Sequence, residues 1–344
     1  MKIVIDAQGG DYLPYEAVKA AMIASEIYED LQIVLFGKKD EIDKVMKDAE
    51  YEGNSIEVVD CSEVIDCNEV PTEAIKNKKD SSLVRAFDAL KTQEDIVGLI
   101  SAGSTGAVLT GTYLKIGRIR GISRPALCPL LPTMNNGKVM LIDAGANVDC
   151  KPINLAHFAI MGSAYMKAVC GVKNPRVALL SIGTEDHKGN EFTRECFEEL
   201  KKLPINFVGN MEARDFMSGK YDVVVADGFY GNILLKSVEG TGMFIMKKLK
   251  QELTAKLSTK IGAMFVKKPL KNMKAMFNFN NYGGSPFLGA RKIVVKTHGA
   301  SDSTAFLVAI DQVIAMHKNK LCEKIEKEVA KLNVTEWWWK KLKT

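Results

Sequence analysis

Six short polar segments hold most of the residues able to do chemistry, and each joins an apolar run to a helix-like one through glycine. They are residues 6–11 (DAQGGD), 101–106 (SAGSTG), 143–147 (DAGAN), 182–191 (IGTEDHKGNE), 227–232 (DGFYGN) and 297–302 (THGASD). Glycine lets backbone N–H groups come close to a ligand, and a following helix turns its positive end toward it. One such segment alone is an ordinary β–α turn. Six at one sheet edge make a polar cleft suited to an anion. Its candidate residues are Gly9, Gly10, Asp11, Gly103, Ser104, Thr105, Gly106, Asn147, Gly183, Asn190, Asp227, Gly228, Gly231, Ser301 and Asp302.

Spacing excludes several common chemistries. No G-x-G-x-x-G follows a strand and no G-x-x-x-x-G-K-[ST] is present, so neither a dinucleotide fingerprint nor a P-loop is supported. No G-x-S-x-G elbow offers a serine nucleophile. The four His are scattered: His157 lies on an apolar helical face as a core or interface residue, His317 on a solvated one, and only His187 and His298 fall in cleft segments. Cys150 has nothing nearby to activate a thiolate and reads as a small buried residue. No metal and no cofactor are expected.

The elements that must position these segments alternate along the chain. β-Branched or apolar runs predict strands over 2–6, 32–36, 55–59, 96–100, 139–142, 177–182, 205–208, 223–225 and 293–296. Helical periodicity predicts helices over 15–27, 41–49, 81–90, 105–119, 155–169 and 191–203, a helix-like segment after Asn232, and one long or broken helix over 303–330. This rhythm implies one large α/β domain over 1–333, a doubly wound and largely parallel sheet with helices on both faces. Ligands of such sheets sit beyond the carboxyl ends of the strands, where all six segments fall.

A chain of 344 residues, 47% hydrophobic and 26% charged, has the makeup of a globular protein with a large core. A net charge of +5 is mild, and no nucleic-acid partner is expected. Seven Cys at irregular spacing with no C-x-x-C pair point to reduced thiols in a cytoplasmic setting. The N-terminus reaches Asp6 too early for a signal-peptide core, and no apolar run reaches the ~20 residues of a membrane span. Residues 256–281 break the pattern with six Lys and no acid, and Leu257, Ile261, Met264 and Phe265 at helical spacing. With residues from about 240 they suit a protruding amphipathic hairpin lying in an anionic bilayer interface, or else a surface helix packed on the core or on a partner subunit. The tail, 334–344, with Trp337, Trp338 and Trp339 before Lys340, Lys341 and Lys343, has the makeup of a second interfacial anchor or, equally, of a helix end whose tryptophans fold back onto the body.

Nine motifs, IDAQGGD, SAGSTGA, GRIRGISRPAL, DAGANVDCKP, FAIMGS, NPRVALLSIGTEDHKGNE, ADGFYGNILLKSVEG, NYGGSPFLG and KTHGASD, run in register over residues 1 to about 330. Together they resemble the PlsX-type phosphate acyltransferases of bacterial phospholipid synthesis. The resemblance implies reversible transfer of a fatty acyl group from acyl carrier protein to inorganic phosphate, giving acyl phosphate. It also implies a fold like the isopropylmalate and isocitrate dehydrogenases, a homodimer, peripheral association with the inner face of the cell membrane, and a downstream glycerol-phosphate acyltransferase as partner. The chain departs from the family at Gln8 (usually Met), Tyr12 (usually His), Ser104 (usually Asn) and Ala300 (usually Ser).

Phosphate is itself an anionic nucleophile and a thiol leaves readily, so the work left to the protein is positioning and oxyanion stabilisation. Lys188 is the first choice for a cationic contact, with Asn232 (also a helix N-cap candidate) and the N–H groups of 228–231 as neutral donors and His298 as donor or phosphate orienter. Asp227 and Asp302 orient those donors. Arg118, Arg120 and Arg124 form a basic patch for the acidic carrier. The alternatives are an acyl-coenzyme A:phosphate acyltransferase resembling phosphotransacetylase, and a non-catalytic membrane-bound scaffold.

Overall fold

The structure is a computed structural model and describes residues 1–276 and 282–333. In chain order the strands are β1 (Lys2–Asp6), β2 (Gln32–Gly37), β3 (Ile56–Asp60), β4 (Ile96–Ser101), β5 (Ala126–Leu127), β6 (Leu130–Pro132), β7 (Lys138–Ile142), β8 (Val177–Ser181), β9 (Phe207–Glu212), β10 (Val223–Val225), β11 (Ser285–Leu288) and β12 (Ile293–Lys296). The helices are α1 (Tyr15–Ile27), α2 (Lys39–Asp48), α3 (Pro71–Asn77), α4 (Ser82–Thr92), α5 (Thr105–Gly111), α6 (Pro152–Ala168), α7 (Glu191–Leu200), α8 (Gly228–Thr254), α9 (Leu257–Phe265), α10 (Lys267–Met276), α11 (Ser303–Lys318) and α12 (Leu321–Asn333).

The doubly wound α/β architecture is present, but it is divided over two sheets rather than one. One has the order β3-β2-β1-β4-β12-β11-β5 and the other β6-β7-β10-β8-β9. All pairs are parallel except those made by β11 and β6, which are antiparallel. Strands β5, β6 and β11 escape the periodicity because Pro129, Pro132 and Pro286 interrupt or bound them, and proline removes a ladder donor. The helix expected over 105–119 ends at Ile116 after a π-type last turn, because Gly117 takes φ +80°. The helix expected over 303–330 is broken at Asn319 and Lys320, the latter at φ +51°.

One core binds both sheets. Ile3 and Ile5 of β1, Met140 and Ile142 of β7, and Val223 and Val225 of β10 join a single cluster with α1, α6, α11 and α12. The alternate residues face outward layers: Val4 packs with α4 and α5, and Val139, Leu141 and Val224 pack with Leu234 of α8. Side chains alternate across a strand, so these strands, buried on both faces, read as unbroken apolar runs.

Helix α8 leaves this body. Its buried residues are Gly228, Gly231, Leu234 and Gly242, and α9 has none. Leu257, Ile261, Met264 and Phe265 are 76%, 52%, 74% and 86% exposed. Helices α8, α9 and α10 thus occupy the segment expected to form a hairpin, and α9 is exposed along its length. The expectations for residues 277–281 and for the tail from Val334 lie outside the described residues.

Candidate active site

Each sheet contributes three of the six loops: those after β1, β4 and β12 from one, and those after β7, β8 and β10 from the other. Between them lies a cavity of about 360 Å³. Its walls bring together five sequence-expected residues, Thr105, Gly106, Asn232, His298 and Ser301. They also hold Thr297 and Gly145, which lie in two of the six segments without being chosen as site residues, and Lys296 and Lys236, which lie outside the segments.

Lys296 ends β12, a strand of otherwise apolar residues, and is 7% exposed. Its Nζ donates to the carbonyl of Ala102 at 3.3 Å and to that of Thr297. Among the described residues it has no ion-pair partner. Burial pushes its ammonium down to about 8, with the charges of Asp6 and Asp11 acting the other way at longer range. Beside it, Thr297 is buried and its Oγ1 has no hydrogen-bond partner among the described residues. The cavity wall thus sets a buried cation beside a buried hydroxyl, two groups that are costly to hold away from water without strong polar partners.

His298 is exposed at the cavity wall and its Nδ1 accepts the Ala300 N–H at 3.2 Å. In the neutral ring the proton then sits on Nε2, which becomes a donor. Ala300 does this through its backbone, so its departure from the family pattern leaves the contact intact. Ser301 is buried and its N–H donates to the His298 carbonyl at 3.0 Å.

Asn232 is not the cap of α8. That role belongs to Asp227, whose carboxylate accepts the Tyr230 N–H at 2.8 Å, and Asn232 projects from the first turn, close to Gly145. The expectation that the N–H groups of 228–231 serve a ligand also fails. Gly228 donates to Asn147 O at 2.8 Å, Gly231 to Asp227 O at 2.9 Å, and Phe229 and Tyr230 to the Asp227 carboxylate. The neutral donors of the cavity are therefore side chains. Asp302 and Asn190 are caps of the same kind, accepting from Ala305 at 3.0 Å and Thr193 at 2.8 Å.

Two buried carboxylates knit the loops together without lining the cavity. Asp6, at the end of β1, accepts from Ser82 Oγ at 2.6 Å, Ser101 Oγ at 2.7 Å and Gln8 N at 3.2 Å. Asp143, just past β7, accepts from Asn147 N at 2.7 Å, Asn147 Nδ2 at 2.8 Å, and Leu127 and Ala146 N at 3.0 Å. Burial raises both carboxyls and these bonds act against it. Asn147 gives its amide to Asp143 and to Pro125 O at 2.8 Å, so it builds the loop.

The remaining expected residues frame the site. Gly9 lies against Gly103, and Gly10, at φ +103°, against the Gly299 carbonyl, to which Asp11 donates at 2.8 Å. A side chain at Gly10 would meet both a strained backbone and that carbonyl. Ser104 precedes α5 without a side-chain cap bond, and Gln8 gives its amide to Glu41 at 3.1 Å. Tyr12 is exposed. Lys188 is exposed over Gly183, on the β8 loop, and is off the cavity wall.

Away from the cleft, Arg118 and Arg120 line a shallow depression with Arg291 and Tyr113, and Arg118 stands over the Tyr113 ring at 5.4 Å. Arg124 reaches Asp149 O at 2.9 Å. His157 is buried, pushed down to about 4 by burial, with Nδ1 at 2.9 Å from Ser123 Oγ. Burial raises the Cys150 thiol to about 12, which leaves it inert.

The family model described as fatty acid synthesis protein matches residues 1–324. The chain belongs to that family. It is 46% identical over 329 residues to a protein named phosphate acyltransferase from Thermoanaerobacterium thermosaccharolyticum, covering 96% of this chain and 97% of that one. It is 44% identical over 333 residues to one of the same name from Clostridium acetobutylicum, covering 97% and 100%. In fold it is similar to a phosphotransacetylase from Streptococcus pyogenes, with TM-score 0.60, 17% identity and 94% of each chain covered. It is also similar to a 4-hydroxythreonine-4-phosphate dehydrogenase from Klebsiella pneumoniae, with TM-score 0.52, 14% identity and 93% and 99% covered.

Proposed function

We propose that this protein transfers a fatty acyl group from the thioester of acyl carrier protein to inorganic phosphate, giving acyl phosphate. The observation that carries this reading is the buried ammonium of Lys296 beside the unpartnered Thr297 hydroxyl, in a chain whose relatives are named phosphate acyltransferase. Lys296 and Thr297 hold phosphate. One phosphate oxygen attacks the thioester carbonyl, forming the C–O bond. The oxyanion takes hydrogen bonds from His298 Nε2 and the Asn232 amide, and collapse expels the carrier thiolate with the C–S electron pair. No acyl-enzyme is needed, because nucleophile and electrophile are held together in one cavity.

The test is phosphate-dependent loss of hexadecanoyl carrier protein. Consumption of acyl-coenzyme A alone would replace the carrier with coenzyme A, and vesicle binding without acyl phosphate would reduce the protein to a scaffold. Lys188, exposed on the neighbouring loop, is left the role of a rim contact to the incoming anion. Lys188→Ala is expected to lower kcat/KM about tenfold through slower capture, measured at several salt concentrations; full loss of turnover would return the main cationic role to Lys188. Arg118, Arg120 and Arg124, joined by Arg291, are the face proposed for the acidic carrier.

No described helix is long and apolar enough to cross a membrane. The exposed apolar side of α9, flanked by lysines, instead supports peripheral binding to an anionic membrane, where acyl phosphate passes to a glycerol-phosphate acyltransferase. Replacing Ile261 and Phe265 by Glu is expected to release the protein from anionic vesicles in a flotation assay and to leave turnover in solution unchanged. Unchanged flotation would assign that side of α9 to a partner subunit, and sedimentation equilibrium tests the homodimer implied by the family resemblance.

A further inference from the structure

The catalytic cavity adjoins a second one. Leu130 and Tyr282 line it, and the same two residues line a second cavity of about 640 Å³. The two chambers lie at opposite edges of one sheet. Ala144, just past β7, faces the first, and Lys138, where β7 begins, faces the second. Six residues at about 3.3 Å each place them about 20 Å apart. Edge strand β6 runs antiparallel beside β7, with Leu131 on the first chamber, Leu130 on both and Thr133, just beyond it, on the second.

The geometry points to this second chamber as the seat of the fatty acyl chain, with Leu130 and Tyr282 as the neck it threads. The inference rests on the acyl-transfer reading and fixes where that substrate's tail lies. With the thioester carbonyl at Lys296 and His298, the carrier-linked sulfur leaves through the open mouth, and the alkyl tail must run the other way. The chamber offers it Met166 of α6, Val169 and Val172 just beyond that helix, and Val308 and Ala315 of α11. Gln312 in the same wall gives its amide to the Tyr165 hydroxyl at 2.8 Å. The ion pair of Arg176 and Asp222, at 2.9 Å, marks the far end. A chain of middling length stays among apolar side chains, and a long one reaches that polar end.

Each CH2 group shut out of an apolar site lowers affinity about fourfold, so plugging the second chamber penalises substrates by length. Ala315→Trp is expected to lower kcat/KM for hexadecanoyl carrier protein roughly a hundredfold, as exclusion of three or four CH2 groups requires, and to leave butanoyl carrier protein within about twofold. Val308→Phe, a smaller plug on the same helix, should give the same order of preference with a smaller loss, and thermal melts report whether each variant is folded. Equal losses at all chain lengths, or unchanged turnover of the hexadecanoyl substrate by both folded variants, would overturn the inference. If the unaltered protein consumes neither thioester, the acyl-transfer reading falls first and the chain site with it.

Discussion

Lys296→Met is expected to lower kcat/KM for phosphate by about 10²–10³-fold, the usual loss when one preorganised electrostatic contact is removed, and to leave the protein at least as stable as before. The two effects oppose each other for one reason. The ammonium is buried with two carbonyls and, among the described residues, no carboxylate as partners, so folding bears its desolvation with little return. Methionine has a similar length and no charge. A merely structural lysine would show the reverse, a fall in stability on substitution. The same asymmetry appears in pH. Burial holds the folded group at about 8 against an ordinary 10.5. Between those values the unfolded chain carries a proton that the folded chain has lost, so unfolding takes up protons and stability rises with pH across the window. Below about 8 both states are charged and the full penalty applies. Turnover needs the charged form and therefore falls over the same window. Thermal midpoints and kcat/KM measured from pH 7 to 11 should run in opposite directions, and Lys296→Met should flatten both contributions. Turnover that rises with stability would remove Lys296 from phosphate binding.

Gly231→Ala is expected to cost about 3 kcal/mol of stability or more, at the upper end for overpacking a dense region, and to abolish turnover. A Cβ there would land inside the van der Waals shell of the Asp143 carbonyl oxygen. That carbonyl cannot retreat, because the Asp143 N–H is held to Ala226 O at 3.1 Å and its carboxylate takes four further hydrogen bonds. Helix α8 must move instead, and it carries Asn232. Alanine gains about 1 kcal/mol in helix propensity over glycine, too little to offset the clash. Gly240 on the same helix faces open space, with nothing within 4 Å of where a Cβ would lie, so Gly240→Ala shows the propensity gain alone. Denaturant midpoints should therefore move in opposite directions for the two substitutions. A Gly231→Ala protein as stable as its parent would mean that α8 is not seated on the β7 loop as described.

Much of this architecture is legible in the chain. Triplets such as Val223 to Val225 can only be strands buried on both faces, and helices α1 and α6 follow from periodicity to within a few residues. The loops are legible too, because glycine and capping residues are local requirements of a strand-to-helix turn. Proline hides β5, β6 and β11, since it argues against a central strand yet is tolerated at edges and in short antiparallel pairs. Their absence from the expected order is what makes two sheets look like one.

The sequence by itself determined the family, most of the strands and helices, and the six loops, because each depends on residues close in the chain. Only the tertiary structure decided which loop residues share a cavity and which merely hold it up. Lys188 and Lys296 look alike in sequence, one lysine at each of two strand-to-helix junctions. One stays in water on the β8 loop. The other is enclosed by Ala102, Thr297 and the packing of distant strands, and only that enclosure takes it out of water and lowers its pKa. Burial is set by neighbours far away in sequence, so no local pattern reports it.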